Sequence, residues 1–144
     1  MPEPAAAVAA KLRMISPQFV VPDVVAAAEY YRDVLGFQIL GFFLDPPVYS
    51  MVRRDAVEIH FGKLAAGSSP SPNIRRSEGS LDAYIWVSDL DPLHAELQQR
   101  GAKIVEPPEM RVYKCYEMVV EDHLGFRLAF GMDVSSRPPA SPQP

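Results

Sequence analysis

The feature that most constrains the fold is an internal duplication. A strand-like segment, "PQFVV", precedes the helical pattern of "PDVVAAAEYYRDVLGFQIL", and later "AYIWV" precedes "SDLDPLHAELQQRGAKIV". Each copy ends in a strand that closes on Phe-Gly, in "VEIHFG" and in "FRLAFG". Asp23 and Asp89 stand where each helix should begin, because an Asp side chain can accept the free backbone N–H groups of a first turn. We therefore predict two βαβββ modules in an α+β fold with eight strands and two helices.

The duplicated segments lie between stretches that have little to bury. The stretch "GSSPSPNIRRSEGS" predicts a linker, and the Pro/Ser-rich end of the chain is typical of disorder. The predicted boundaries are a flexible N-terminal arm over 1–12, one domain over 13–132 (module one 13–64, linker 65–80, module two 81–132) and a disordered tail over 133–144.

Composition narrows the class of protein. Of the 144 residues, 48% are hydrophobic and 22% are charged, which is typical of a globular protein. The net charge of −4 argues against a nucleic-acid-binding surface and permits a cationic ligand. Cys115 is the single cysteine, so an intramolecular disulfide is excluded, and no apolar run is long enough to span a bilayer. We expect a cytoplasmic protein without a nucleic-acid or membrane partner.

Two strands carry candidate functional side chains on one face. In "DAVEIHFG", the residues Glu58 and His60 alternate with apolar neighbours, so they share a face of the strand. In the second copy, Asp82, Tyr84 and Trp86 share a face in the same way. Glu and His at this spacing are common in metal sites, but they also suit the polar wall of a ligand pocket. A tryptophan can equally belong to the core, so the sequence leaves both roles open for Trp86.

Four segments together resemble a known family. They are "VPDVVAAAEYYRDVLGF", "RRDAVEIHF", "YIWVSDLDPLHAELQQRG" and "YEMVVEDHLGFRLAF". In combination and spacing they are similar to the vicinal oxygen chelate superfamily, which includes glyoxalase I, extradiol dioxygenases and bleomycin-resistance proteins. The resemblance implies paired βαβββ modules whose mixed sheets form a cup with the helices on its outer face. It also implies a homodimer, and the second and third segments look most like the bleomycin-resistance branch.

Metal enzymes of that superfamily take ligands from the first and last strands of each module. Here the corresponding positions are Ser16 or Gln18, Glu58 or (with a register shift of two) His60, Asp82, and Ala129. Ala129 has no donor atom, and Arg127 on the same strand face would repel a cation. We therefore expect no metal and no other cofactor, with a divalent metal as the alternative.

The resemblance implies a protein that binds a small organic ligand in its cup. The expected ligand is planar and cationic, because aromatic and acidic side chains share the predicted faces. The alternatives are a metal-dependent lyase, isomerase or dioxygenase of the same superfamily, and an interaction module without a ligand. No catalytic residue is assigned, and the predicted ligand-binding residues are Gln18, Glu58, His60, Asp82, Tyr84, Trp86, Tyr113 and Arg127.

Overall fold

The computed structural model describes residues 8–134. The predictions for residues 1–7 of the arm and for 135–144 of the tail therefore lie outside the described residues. Residues 8–17 have no regular secondary structure. Within the described part of the chain, no helix is both long and apolar enough to cross a membrane.

The first module is a four-stranded mixed sheet covered by one helix. Its strands stand in the order β1-β4-β3-β2, with β1 parallel to β4 and the other pairs antiparallel. The elements are β1 (Gln18–Val21), α1 (Val24–Leu35), β2 (Gln38–Phe43), β3 (Tyr49–Arg54) and β4 (Val57–Lys63).

The second module repeats this topology. The order is β5-β8-β7-β6, again with one parallel pair, β5 with β8. A single 3-10 turn, Asn73–Arg75, interrupts the connection between the modules. The elements are β5 (Ala83–Trp86), α2 (Leu90–Gln99), β6 (Lys103–Met110), β7 (Cys115–Glu121) and β8 (Arg127–Asp133). The prediction of an α+β fold made of two βαβββ units is confirmed.

The two helices begin differently, although the sequence predicts the same cap for both. The Asp23 side chain accepts hydrogen bonds from the N–H groups of Val25 and Ala26, both at 3.0 Å. Asp89 occupies the N-cap position of α2 with an extended backbone, but its side chain makes no capping bond. The capping prediction is therefore right for Asp23 and wrong for the Asp89 carboxylate. Gly36 ends α1 with φ of 77°, a conformation that a residue with a Cβ adopts only at a cost.

Both modules bury their helix-covered faces in one common core. Phe19 of β1 stacks on Phe126, just before β8, with ring centroids 4.7 Å apart. The buried Tyr31 hydroxyl donates to Asp122 at 2.8 Å, so α1 is bonded to the second module. Burying each large apolar side chain stabilises the fold by roughly 1.5–3 kcal/mol. The opposite face of each sheet, which we call the helix-free face, is thereby turned away from this core.

Candidate functional site

Strand register identifies the residues on the two helix-free faces. In the first module Gln18 of β1 lies opposite His60 of β4. In the second module Tyr84 of β5 lies opposite Ala129 of β8. The duplicated Phe-Gly ends of β4 and β8 make His60 and Ala129 equivalent positions. This register resolves the ambiguity between Glu58 and His60, because His60 is the residue level with Gln18.

The first helix-free face carries a continuous chain of polar contacts. Gln18 Nε2 donates to the Tyr49 hydroxyl at 3.2 Å, and that hydroxyl lies 2.8 Å from Nδ1 of His60. His60 Nε2 lies 2.6 Å from a Glu58 carboxylate oxygen, and Arg53 donates to the other oxygen at 3.2 Å. The structure thus brings together three of the predicted residues, Gln18, Glu58 and His60. Tyr49 and Arg53 complete the chain, and neither was predicted as a site residue.

The charge on Glu58 fixes the direction of these bonds. The hydrogen bond from His60 is the main reason why the pKa of Glu58 is lowered, and the nearby Arg53 guanidinium contributes to the same effect. An ionised carboxylate only accepts, so His60 Nε2 carries a proton. In a neutral imidazole Nδ1 is then the acceptor, and it receives the Tyr49 O–H. Every group in the chain from Gln18 to Glu58 therefore has its partner.

The second helix-free face is aromatic. The rings of Tyr84 and Trp86 lie 4.8 Å apart at 52° to one another. Trp86 is 62% exposed, so it belongs to the surface of the sheet and not to the core. The Tyr84 ring lies across Gly131, where an added Cβ would come within 2.7 Å of Tyr84 Cζ. The Tyr84 hydroxyl is buried, and no hydrogen-bond partner for it is found among residues 8–134.

A buried carboxylate, Glu117 of β7, lies on this second face. Glu117 is 3% exposed, and its strand position is level with Gly131 and hence with Trp86. The Tyr113 hydroxyl donates to Glu117 from the turn between β6 and β7, and Arg111 Nε lies 3.6 Å from the same oxygen. Burial, followed by the charge of Glu117, raises the pKa of Tyr84 well above its usual value.

The sequence prediction omitted Glu117. Alternation in "CYEMVVE" does place it on the helix-free face with Cys115 and Val119, in a strand that is otherwise largely apolar. That pattern was the available signal. Tyr113, which was predicted, reaches the site through its bond to Glu117.

Two further predicted ligand-binding residues make contacts within the chain. The two oxygens of Asp82 accept the backbone N–H groups of Asn73, at 2.9 Å, and of Arg127, at 2.8 Å. Asp82 thus fastens the linker to the start of β8. The Arg127 guanidinium pairs with Glu121 at 3.1 Å. Neither side chain lies within the Tyr84–Trp86–Glu117 group.

Two cavities border these faces. One, of about 360 Å³, lies between the modules, and both Trp86 and Arg54 line it. The other, of about 340 Å³, lies beneath the linker, and Gln18 and Asp82 line it. Each therefore has at least one residue of a helix-free face in its lining.

Comparison with known proteins decides the family. Residues 13–130 match the model of the family described as "Glyoxalase/Bleomycin resistance protein/Dioxygenase superfamily". The chain belongs to the glyoxalase/bleomycin resistance protein/dioxygenase superfamily. No curated protein matches it.

Solved structures show the same superfamily fold. TioX from Micromonospora sp. ML1 is 16% identical over 85% of this chain and 99% of its own, with a TM-score of 0.66. A glyoxalase-related enzyme from Clostridium phytofermentans is 14% identical over 91% and 100%, with a TM-score of 0.68. Virulence protein STM3117 from Salmonella typhimurium is 21% identical over 88% and 100%, with a TM-score of 0.63. At these identities the likeness supports the fold alone.

The residues at the superfamily's metal positions either lack a donor atom or make contacts within the chain. Ala129 offers no ligand atom, and both ring nitrogens of His60 are engaged by Tyr49 and Glu58. The Arg53 cation contacts Glu58 directly. Among residues 8–134, no group of three or more His, Cys, Asp or Glu side chains could hold a metal ion.

Proposed function

We propose that this protein binds a planar organic cation on its second sheet and needs no metal to do so. In this proposal it resembles the bleomycin-resistance branch of the superfamily. The observation that carries the proposal is the exposed indole of Trp86, which lies beside Tyr84. Trp86 and the buried Glu117 both lie opposite Gly131 in the sheet, so the carboxylate is level with the indole. Stacking on such a ring contributes about 0.5–1.5 kcal/mol beyond area burial. A cation over its face gains a further electrostatic attraction.

Charge around Glu117 supports a cationic ligand. Arg111 is the shared partner of Glu117, Glu106 and Glu109, so three carboxylates meet one guanidinium. The excess negative charge creates a potential that attracts cations to this end of the sheet. The hydroxyl of Tyr113 covers Glu117, and a ligand ammonium or hydroxyl group is chemically suited to replace it.

The cup in this proposal is built by two chains. Within one chain, the contacts between modules lie on the helix side, as in the pairing of Arg54 with Glu96 at 2.7 Å. Apolar side chains such as Val20, Phe43 and Trp86 are exposed instead. A two-fold dimer would place the first sheet of one chain against the second sheet of its partner and cover them. Light scattering should give a dimer at micromolar concentration, and a monomer would contradict this part of the proposal.

Binding is tested through Trp86, whose fluorescence reports the site because it is the single tryptophan. We expect at least one of a panel of cationic aromatic compounds, including bleomycin, to quench or shift its emission. Glu117→Gln should weaken that compound's binding by about tenfold to a hundredfold, since a charge-assisted contact is worth roughly 1.5–3 kcal/mol. The matched control is Asp33→Asn, which makes the same charge change on the exposed surface of α1 and should leave binding unchanged. Failure of every compound to alter the emission would exclude the stacking role.

Metal content separates this proposal from the enzyme alternative. Elemental analysis of protein purified without chelator should find far less than one Zn, Ni, Fe or Mn per chain. A stoichiometric metal would favour a lyase, isomerase or dioxygenase of the superfamily over metal-free binding.

A further inference from the structure

We propose that Glu58, His60 and Tyr49 form a proton relay that makes the Tyr49 hydroxyl a general acid–base group on the first helix-free face. The contacts run in one line: carboxylate to imidazole at 2.6 Å, then imidazole to phenol at 2.8 Å. This arrangement of an acid that orients a histidine, which in turn activates a hydroxyl, is the general design of activated nucleophiles and bases. The relay goes beyond the ligand binding proposed above, and its test requires no ligand.

A hydrogen bond from outside the relay holds the residue at each of its two ends. Arg53 holds the second oxygen of Glu58, which keeps the carboxylate in place beside His60. Gln18 donates to the Tyr49 oxygen, so it can stabilise negative charge there when the phenol loses its proton. His60 is partly buried, with 21% of its side chain exposed, and Glu58 is less exposed still at 12%. The imidazole is therefore shielded by its partners from bulk water.

Tyr49 is accessible from the face where a ligand would lie. Its cross-strand neighbour in β4 is Gly62, which has no side chain to cover the ring. The nearest group to a Cβ at Gly62 would be the Gln18 amide, at 3.5 Å, which is already part of the chain of contacts. A reacting group can thus approach the Tyr49 oxygen above the glycine.

Other tyrosines of this chain provide a built-in contrast. The hydroxyls of Tyr31, Tyr113 and Tyr116 each donate to a carboxylate, namely Asp122, Glu117 and Asp91. A hydrogen bond to Asp91 is the main reason why the pKa of Tyr116 is raised, which makes that phenol harder to ionise. An imidazole is a stronger base than a carboxylate by about two pKa units and can take up the phenol proton. Tyr49 alone of these four donates to an imidazole.

The proton moves in two balanced steps. The Tyr49 O–H bond breaks as an N–H bond forms at His60 Nδ1, which leaves a phenolate and an imidazolium beside the Glu58 carboxylate. The phenolate then accepts a proton from an acidic O–H group of a bound molecule, and the reverse sequence returns it. No redox partner or metal enters either step.

The experiment measures the reactivity of Tyr49 directly with an aryl sulfonyl fluoride. In that reaction the phenol oxygen forms a bond to sulfur, fluoride leaves, and the phenol proton passes to His60. After labelling of the intact wild-type protein, mass spectrometry of its proteolytic peptides should show Tyr49 labelled on the order of tenfold or more faster than Tyr116, the tyrosine bonded to Asp91. Tyr49→Phe should remove this fast labelling and leave that of Tyr116 unchanged.

Two variants separate activation from mere folding. His60→Gln should bring the labelling rate of Tyr49 down to that of Tyr116, and Glu58→Gln should lower it several-fold. Circular dichroism and thermal unfolding, together with the unchanged rate at Tyr116, would show that each variant remains folded. Nitrogen NMR should find the neutral His60 ring protonated at Nε2. If Tyr49 reacts no faster than Tyr116, if His60→Gln leaves its rate unchanged, or if the proton is found at Nδ1, the relay is excluded, while binding at Trp86 remains open.

Discussion

The two helix-free faces occupy equivalent positions of a duplicated scaffold but differ in chemistry. On the first, Gln18 lies level with His60, and on the second, Tyr84 lies level with Ala129. His60 forms hydrogen bonds through both ring nitrogens, whereas Ala129 contributes a buried methyl group. The first face thus carries a chain of hydrogen bonds, and the second carries an aromatic pair.

The difference extends to the charged pairs at the sheet ends. In the first module Arg53 of β3 lies opposite Glu58 of β4, and in the second Glu121 of β7 lies opposite Arg127 of β8. The signs are therefore inverted between equivalent strands. Register and topology have been kept because a shift of one residue would expose the core face of a strand. Side chains on the helix-free faces are free of that constraint, so there the two modules have diverged.

The largest expected change in stability comes from adding a methyl group at Gly131, which contacts Tyr84 of β5. The equivalent position in the first module is Gly62, beside Gln18 of β1. Gly131→Ala should destabilise the protein by about 1–3 kcal/mol, because its Cβ would come within 2.7 Å of Tyr84 Cζ and force the ring to move. Gly62→Ala, the equivalent change, should alter stability by only about 0.5 kcal/mol, since its nearest contact is the flexible Gln18 amide at 3.5 Å. Urea unfolding measures both.

A double variant provides the control for this comparison. Tyr84→Leu combined with Gly131→Ala removes the ring that the new methyl group would meet, so most of the loss should be recovered. Equal destabilisation by Gly131→Ala in both backgrounds would mean that the close approach of Tyr84 to Gly131 does not exist in solution.

The fold could be predicted from the sequence because the same pattern of strand and helix signals occurs twice. Each helix shows its apolar periodicity, β4 shows alternation, and Gly36 marks the end of α1 in a left-handed conformation. The Asp89 cap failed because an Asp before a helix permits a capping bond but does not require one. Propensity indicates where a helix begins, and tertiary contacts decide how its first turn is satisfied.

The site was only partly predictable, for a reason that lies in the turn between β3 and β4. Asp55 and Ala56 form a two-residue connection in which Asp55 has a φ of 51°, and this sets Met51 opposite His60 and Tyr49 opposite Gly62. The pair Asp-Ala is not the usual sequence of such a turn, so the register could not be derived from it. The contact between Tyr49 and His60 depends on that register. Alternation alone could place Glu58 and His60 on one face, but it could not show that Tyr49 is the partner of His60.

A second, smaller effect tests whether the faces belong to one cooperative unit. The bidentate pair of Glu96 with Arg54 joins α2 to the first sheet, at 2.7 and 2.9 Å. Glu96→Gln should cost about 1 kcal/mol in the free energy of unfolding. Asp33→Asn, which removes an exposed carboxylate paired with its neighbour Arg32, should cost less. A biphasic unfolding curve for Glu96→Gln would show that the modules can unfold separately.

The same residue gives a pH dependence with a definite sign. The hydrogen bond from Arg54 is the main reason why the pKa of Glu96 is lowered from 4.5. As the pH falls, Glu96 is therefore protonated in the unfolded chain before it is protonated in the folded one. The stabilisation is complete above pH 4.5 and is lost as the pH falls through the folded-state pKa. The difference between wild type and Glu96→Gln should shrink on acidification in that window. A difference that grew on acidification would contradict this assignment.

The smallest expected change in stability comes from exchanging the inverted charge pairs. Arg127→Glu together with Glu121→Arg should change the free energy of unfolding by no more than about 0.5 kcal/mol. The Arg–Glu pair can be restored with its signs reversed, and the pair of Glu121 with the exposed Lys103, which the exchange removes, contributes little. The equivalent exchange in the first module, Arg53→Glu with Glu58→Arg, removes the carboxylate that holds His60 Nε2. It should therefore abolish the fast labelling of Tyr49 by the sulfonyl fluoride while the fold persists. If the first-module exchange left Tyr49 as reactive as before, the two faces would differ in composition but not in function.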